Sequence, residues 1–194
     1  IMGFVDLLRR NPTKPYYMMI VTGLNPQQGS YYDAGRIFQT ELARQGLDKE
    51  DYMKRLMLVD TSKTALPDSA INDIYNAADL GINLSDGEGF GLCQIEHLYT
   101  GAPQIVTDIG TYRSFMDDKV CTFIPPVDRT YFSGAMPLGL WAPSFDYKQV
   151  ADAMTSAIAC LPEMKTAAQN FPFKTWDEVC ASWIADVKSE IESK

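Results

Sequence analysis

The chain has 194 residues and a formal net charge of −8 at pH 7. Hydrophobic residues make up 46% of it and charged residues 22%, which is typical of a globular protein that can bury its own core. Nucleic-acid binding relies on clustered Lys and Arg, so the acidic balance argues against a nucleic-acid surface. The apolar runs are too short to span a membrane, and we expect a soluble, cytoplasmic protein.

The first part of the chain alternates helical and strand patterns. Residues 1–10 carry an amphipathic helical pattern that begins without a cap, and residues 16–22 form a continuous β-prone run, typical of a strand buried on both faces. A helix is predicted from about Asp33 and a strand at 56–59. The following loop, 60–67, is either a plain surface loop or part of a ligand site, because open α/β sheets bind ligands at the carboxyl ends of their strands.

The most informative stretch is residues 80–96. A short apolar run ends in a loop with three alternating glycines, and a helical pattern begins near Leu92. A helix N-terminus offers unpaired N–H groups and partial positive charge, and glycines let an anion approach the backbone, so the loop is a plausible phosphate cradle. Two carboxylates, Glu88 and Glu96, bracket the loop with seven residues between them, and both can face one volume above it.

The second half of the chain first continues the alternation of strand and helix patterns and then departs from it. Strands are predicted at 104–107 and 120–124, and the alternation of strands and helices predicts a parallel sheet with right-handed crossovers. Residues 125–145 form a long segment rich in Pro, Gly and aromatic residues, which we expect to pack on the domain or on a missing partner. A capping box, Thr175-x-x-Glu178, opens the last helix, which has the most regular apolar stripe in the chain.

These motifs resemble one enzyme family. The sequence Ser85-x-x-Glu88-Gly-Phe-Gly-Leu, then Glu96, then Gly-Ala-Pro-Gln-Ile-Val-Thr-Asp-Ile-Gly at 101–110, resembles the donor-binding half of retaining GT-B glycosyltransferases of the family 4-like, group 1 kind. The resemblance covers most of the chain and extends to Phe-Lys-Thr-Trp at 173–176. It implies a three-layer, Rossmann-like α/β domain with a mostly parallel sheet of about five strands.

The resemblance also implies roles for matching residues. Glu88 is the candidate catalytic residue and would contact hydroxyls of the donor sugar, whereas Glu96 would contact the nucleotide ribose. The backbone from Gly89 to Leu92 would bind the sugar and the diphosphate. The full set of candidate donor-binding residues is Ser85, Gly89, Phe90, Gly91, Leu92, Glu96, Thr22, Gly23, Asp60 and Thr61.

The implied reaction is transfer of a hexose from a nucleotide diphosphate sugar, such as a UDP- or GDP-sugar, to an acceptor with retention of configuration. No metal and no cofactor are expected. Asp86-x-Glu88 is an alternative metal-binding pair, although no third ligand is apparent. Two other functions stay open: a non-catalytic nucleotide-binding or interaction module of the same shape, and a sugar-nucleotide epimerase-like domain.

We expect residues 1–194 to form one donor-binding domain, the C-terminal half of a two-domain enzyme. The uncapped helix at Ile1 is the sequence feature behind this expectation. The last helix, 175–192, would cross toward a missing N-terminal, acceptor-binding domain or pack against a second copy of the chain. The chain alone is therefore expected not to transfer sugar.

The cysteines and the single histidine suggest no site of their own. The four cysteines are widely spaced, which predicts buried free thiols, not a zinc site or a disulfide framework (Cys93, Cys121, Cys160 and Cys180). His97 follows Glu96 but points about 100° away around the helix, so we expect it to have a supporting or surface role.

Overall fold

A computed structural model describes residues 1–23, 33–47, 49–85, 87–132 and 140–192. The helices in these ranges are α1 (Met2–Arg10), α2 (Ala34–Arg44), α3 (Glu50–Met53), α4 (Asp68–Ala77), α5 (Leu92–Tyr99), α6 (Gly110–Arg113), α7 (Tyr147–Ala159), α8 (Leu161–Gln169) and α9 (Trp176–Glu192). The strands are β1 (Met18–Thr22), β2 (Leu56–Asp60), β3 (Gly81–Asn83), β4 (Gln104–Thr107), β5 (Cys121–Ile124), β6 (Asp128–Phe132) and β7 (Leu140–Ser144).

Five strands run parallel in two ladders. β1 pairs with β2, with Met18 opposite Leu56 and Thr22 opposite Asp60. β3, β4 and β5 form the second ladder, with β4 in the middle. The predicted α/β class and its parallel strands are confirmed, but within the described residues the strands form two sheets instead of one.

Helices cover both faces of β4, which gives the expected three layers. Ile105 belongs to a core that α1, α2 and α7 build with residues such as Leu8 and Phe38. The next residue, Val106, belongs to a second core with Leu98 of α5. Successive strand residues point to opposite faces, so the two cores lie on opposite sides of the sheet. Each fully buried Leu, Ile or Phe contributes roughly 1.5–3 kcal/mol to folding.

The first ladder is less buried than the sequence suggested. The expectation that residues 16–22 are buried on both faces is wrong, since Val21 is 43% exposed. Met57 in the partner strand β2 is 44% exposed. The physical reason is that this ladder is only two strands wide, and α4, which follows it, has no buried residue.

Part of the long segment at 125–145 is an antiparallel hairpin. β6 pairs with β7, with Asp128 opposite Ser144 and Tyr131 opposite Trp141. The residues between the strands, 133–139, lie outside the described residues. The hairpin joins the domain at its base, where the side-chain amide of Gln149 donates to the carbonyl oxygen of Pro125 at 3.0 Å.

The last helix, α9, begins at the predicted capping box and exposes its apolar stripe. Glu178 accepts a hydrogen bond from the backbone N–H of Thr175 at 2.7 Å, and its own N–H donates to the Thr175 hydroxyl at 3.3 Å. The exposed apolar side chains are Trp176, Trp183, Ile184, Val187 and Ile191. None of the described helices is both long and apolar enough to cross a membrane.

Only one cysteine is buried. Cys121 lies in β5, whereas the expected burial of Cys93, Cys160 and Cys180 is wrong. Cys160 lies at the junction of α7 and α8, and Cys180 lies on the exposed helix α9. Helical spacing predicts which residues share a face but not whether that face is covered, and here it is not.

His97 links α5 to the end of α4. Its Nε2 donates to the carbonyl oxygen of Ala78 at 3.2 Å, and its ring stacks on Tyr75 with centroids 5.3 Å apart. The side chain is only 6% exposed, so a surface role is wrong and a supporting role fits. Burial lowers the pKa of His97 below the ordinary value of 6.5.

His97 should make stability depend on pH below about 6.5. There the unfolded chain binds a proton that the folded chain excludes, so the free energy of unfolding falls as pH drops through 6.5 toward the lower folded pKa. A His97→Gln variant should lose this part of the pH dependence. Urea unfolding at about pH 7.5 and about pH 5.5 measures it. An equal loss in both proteins would assign the effect to other groups.

Candidate functional site

The predicted strand, loop and helix are present around the glycines. β3 ends at Asn83, and the glycine-rich loop, residues 84–91, leads into α5 at Leu92. Gly91 is the N-cap of α5, and no side chain caps this end of the helix. The first N–H groups of α5 therefore lack side-chain partners, the arrangement that favours an anion at a helix N-terminus.

Gly91 has a conformation and a packing position that only glycine suits. Its φ is +86°, in the left-handed region. A Cβ added there would lie 2.6 Å from Cε1 of Tyr112, whose ring is completely buried. A larger residue would therefore both strain the backbone and displace a core aromatic ring.

Two threonine hydroxyls attach the loop to the strand β4 and to the helix α6 that follows it. Thr107, at the end of β4, donates to the carbonyl oxygen of Ser85 at 3.0 Å. Thr111 in α6 donates to the carbonyl oxygen of Glu88 at 2.8 Å. Sequence reasoning did not single out either residue as part of the site. Thr107 lies within the motif at 101–110, and Thr111 directly follows it.

Asn83 and Tyr112 connect the candidate catalytic residue to the helix. The amide of Asn83 donates to Oε1 of Glu88 at 3.2 Å and to the Tyr112 hydroxyl at 3.1 Å. The Tyr112 hydroxyl in turn donates to the side-chain oxygen of Gln94 at 3.1 Å. Burial raises the pKa of Tyr112 to about 12, so the hydroxyl stays a donor at neutral pH. The side chain of Glu88 is thus oriented by a chain of hydrogen bonds.

The two carboxylates are held by different elements. Glu88 is half-buried and accepts from Asn83 on β3. Glu96 is exposed and accepts from the Tyr75 hydroxyl of α4 at 3.1 Å. Burial, with Cys93 and Glu96 close by, raises the pKa of Tyr75. Tyr75 therefore stays protonated and fixes the direction of Glu96, a role that the sequence did not reveal.

The other candidate donor-binding residues fall into two groups. Thr22 ends β1 and Gly23 follows it; Asp60 ends β2 beside them, and the N–H of the next residue, Thr61, donates to the carbonyl oxygen of Thr22 at 3.0 Å. The second group belongs to the glycine-rich loop and the start of α5 (Ser85, Gly89, Phe90, Gly91, Leu92 and Glu96). The first group lies on one ladder and the second follows the other.

Phe90 and Leu92 are the exposed apolar residues of the loop region. Phe90 is 51% exposed, and its ring packs against Phe115 with centroids 5.2 Å apart. Leu92 is 61% exposed at the start of α5.

The guanidinium of Arg113, which follows the Thr111 contact to the loop, is already paired. Arg113 of α6 binds Asp108 at 2.7 Å and Asp118 at 3.0 Å, and Asp108 holds the pKa of Arg113 above its ordinary value. In the part of the chain that the structure describes, no group of three or more His, Cys, Asp or Glu could hold a metal ion. Asp86, of the alternative acidic pair, lies outside the described residues.

Solved structures resemble this chain, although no protein-family model and no curated protein matches it. Sucrose-phosphate synthase from Thermosynechococcus elongatus is 16% identical, with a TM-score of 0.58 over 100% of this chain and 42% of that chain. Anabaena HepE in complex with UDP-glucose is 16% identical, with a TM-score of 0.58 over 98% and 43%. The C-terminal domain of LpcC, a group 1 family glycosyl transferase from Francisella tularensis, is 16% identical, with a TM-score of 0.56 over 88% and 75%.

The similarity establishes the fold. The predicted fold, a Rossmann-like α/β domain of the kind found in GT-B glycosyltransferases, is confirmed by these three solved structures. The chain spans about two fifths of the length of sucrose-phosphate synthase and of HepE.

Gly91→Ala should destabilise the protein by about 1–3 kcal/mol, because it combines left-handed strain with a clash against Tyr112. Gly89→Ala is the matched control, since a Cβ at Gly89 would meet nothing within 4 Å and its φ is not positive. Urea unfolding of the two variants beside the parent chain measures the difference. If both variants unfold at the same urea concentration, the conformation assigned to Gly91 is wrong.

Proposed function

We propose that this chain is the domain of a glycosyltransferase that binds the nucleotide-sugar donor. The observation that carries the proposal is the glycine-rich loop, where an uncapped helix N-terminus lies next to a carboxylate, Glu88, oriented by Asn83. The fold supports it, since HepE shares the fold and was solved with UDP-glucose. The helix N-terminus suits a diphosphate, and the carboxylate suits the hydroxyls of a sugar.

In this proposal the diphosphate binds at the N–H groups from Gly89 to Leu92. The partial positive charge at the start of α5 contributes about 0.3–1 kcal/mol to binding an anion. Glu88 accepts hydrogen bonds from sugar hydroxyls and Glu96 from the ribose. The group formed by Thr22, Gly23, Asp60 and Thr61 lies beside the nucleobase.

The proposed reaction is hexose transfer with retention of configuration. The work of these residues is electrostatic: the helix N-terminus stabilises charge that develops on the leaving diphosphate, and Glu88 orients the sugar. In this proposal the acceptor binds to a surface outside this domain. The proposed location in the cytoplasm follows from the sequence alone and stays a prediction.

The acceptor, in this proposal, is bound by a second domain of a longer protein. The chain spans only 42% and 43% of two glycosyltransferases that share its fold. The exposed stripe of α9, in which Trp176 is 83% and Trp183 is 71% exposed, offers an apolar face for such a domain. A second copy of the chain is the alternative occupant of this face. Because the acceptor is bound by a second domain in this proposal, the 194-residue chain alone should lack transferase activity.

The donor proposal predicts different losses for the two carboxylates. Glu96→Gln should weaken binding of UDP or GDP, whereas Glu88→Gln should leave the diphosphate unchanged and weaken only the additional affinity of the sugar nucleotide. Each loss should be about 1.5–3 kcal/mol, the range for hydrogen bonds to charged groups. Titration calorimetry with UDP, GDP and their glucose and mannose conjugates measures both.

The control for these titrations is Glu163→Gln, an exposed carboxylate on α8. This variant should bind like the parent chain. No heat with any nucleotide in the parent chain would favour a non-catalytic interaction module. Equal losses of diphosphate affinity in both site variants would show that the two roles are assigned wrongly.

Chelation should leave donor binding unchanged. The proposed diphosphate site uses backbone N–H groups in place of magnesium. Calorimetry of the same sugar nucleotides with excess EDTA and then with excess magnesium measures this. A large magnesium-dependent gain in affinity would instead favour Asp86 and Glu88 as metal ligands.

A further inference from the structure

Glu88 is held at its backbone and at its side chain. The Thr111 hydroxyl of α6 donates to its carbonyl oxygen at 2.8 Å, and the side-chain amide of Asn83 donates to its Oε1 at 3.2 Å. Within the described part of the chain, no other hydrogen bond or ion pair reaches the Glu88 carboxylate. One carboxylate oxygen is therefore fixed by the protein, and the other is left for a ligand.

The orientation of the Asn83 amide follows from its neighbours. The backbone N–H of Ser85 lies 3.0 Å from the Asn83 side chain, and because an N–H can only donate, the amide oxygen faces Ser85. The amide nitrogen then has two hydrogens, one for Glu88 and one for the Tyr112 hydroxyl at 3.1 Å. Asn83 therefore presents a donor, and not an acceptor, to Glu88.

The Tyr112 hydroxyl fixes the direction of the remaining hydrogen bonds. It accepts from Asn83, and its single hydrogen goes to the side-chain oxygen of Gln94 at 3.1 Å. Tyr112 is completely buried and Gln94 is only 8% exposed, so neither side chain can turn to solvent for another partner. Each hydrogen bond of the network thus has one direction, and the network ends with a donor on Glu88.

The network also joins two parts of the candidate site. Gln94 belongs to the first turn of α5, whose N–H groups form the proposed diphosphate site, whereas Glu88 is the proposed partner of the sugar. Loss of the Tyr112 hydroxyl would leave a buried acceptor on Gln94 and one hydrogen of Asn83 without partners. Asn83 would then be held less firmly against Glu88, although the Tyr112 ring would still support Gly91.

We propose that Asn83 and Tyr112 are positioning residues that hold Glu88 for the sugar of the donor, an inference that rests on the proposed function. Both residues act through Glu88 and not on the reacting atoms. They determine how much more tightly the site binds a nucleotide diphosphate sugar than the nucleoside diphosphate alone. We call the ratio of these two affinities the sugar gain.

The first test removes one hydroxyl group. Tyr112→Phe keeps the ring beneath Gly91, and Tyr99→Phe makes the same change at the other end of α5, where Tyr99 is 53% exposed. Titration calorimetry with UDP, GDP and their glucose and mannose conjugates measures the sugar gain. We expect Tyr112→Phe to reduce it about tenfold with the affinity for UDP and GDP unchanged, as for one lost hydrogen bond to a charged group. Tyr99→Phe should change neither quantity.

The second test replaces the donor that faces Glu88 by a carboxylate. Asn83→Asp keeps an oxygen for the Ser85 N–H but places its second oxygen where the amide nitrogen lies 3.2 Å from Glu88. Two carboxylates this close share one proton, which restores a donor toward Glu88 until the proton is lost. The sugar gain of Asn83→Asp should therefore be within about twofold of the parent value at about pH 5 and about tenfold below it at about pH 7.5.

The control for the pH dependence is Asn83→Leu, which removes the donor without adding a charge. Its sugar gain should be low at both pH values, whereas a merely structural role would give both Asn83 variants the same loss at each pH. The titratable side chains around the network are Glu88, Tyr112, Cys93 and Cys121. Ordinary phenols and thiols ionise above about pH 8, and comparison with the parent chain at each pH cancels ionisation of the ligand.

The outcomes separate this inference from the function on which it rests. If the parent chain shows a sugar gain and Tyr112→Phe and Asn83→Asp retain it at about pH 7.5, the inference is wrong and the proposed function stands. An equal loss of affinity for UDP and for its sugar conjugate in Tyr112→Phe also overturns the inference, because the hydroxyl would then support the whole loop. A parent chain that binds no sugar nucleotide overturns both. If Tyr112→Phe does not fold, the two variants of the half-buried Asn83 decide the question.

Discussion

The packing of Tyr112 beneath the glycine-rich loop is the contact on which the candidate site depends. Its ring fills the space that a Cβ at Gly91 would need, and its hydroxyl is bonded to Asn83 and Gln94. The ring is completely buried in the core around Val106 and Val120. The position of the loop is therefore set by the core of the second ladder, and a loop with little burial of its own gains the rigidity that preorganised binding needs.

In the proposed function, an acidic protein binds an anion. Net charge is −8, and Arg113 beside the loop is already paired with two aspartates. In the proposed function the diphosphate therefore binds to backbone N–H groups at the start of α5. With these groups as donors, no Lys or Arg side chain has to lose its hydration when the diphosphate binds. Asn83 orients Glu88 with a neutral amide, which leaves the carboxylate's charge available for sugar hydroxyls.

The candidate site consists of two groups of residues, one at the end of each ladder. Thr22, Gly23, Asp60 and Thr61 lie at the end of the first ladder, and the glycine-rich loop follows the second. In the proposed function these groups hold the nucleobase and the diphosphate of one ligand.

Local patterns sufficed to predict the parallel strands, the helix after Gly91 and the capping box at Thr175, because each depends on residues a few positions apart. The family resemblance predicted the fold that the solved structures confirm. Tertiary structure alone decided the features that depend on residues far apart in sequence: Tyr112 beneath Gly91, Tyr75 on Glu96, the exposed thiol of Cys180 on α9 and the separation of the strands into two ladders. Periodicity defines which residues share a face, but what covers that face depends on elements far away in sequence.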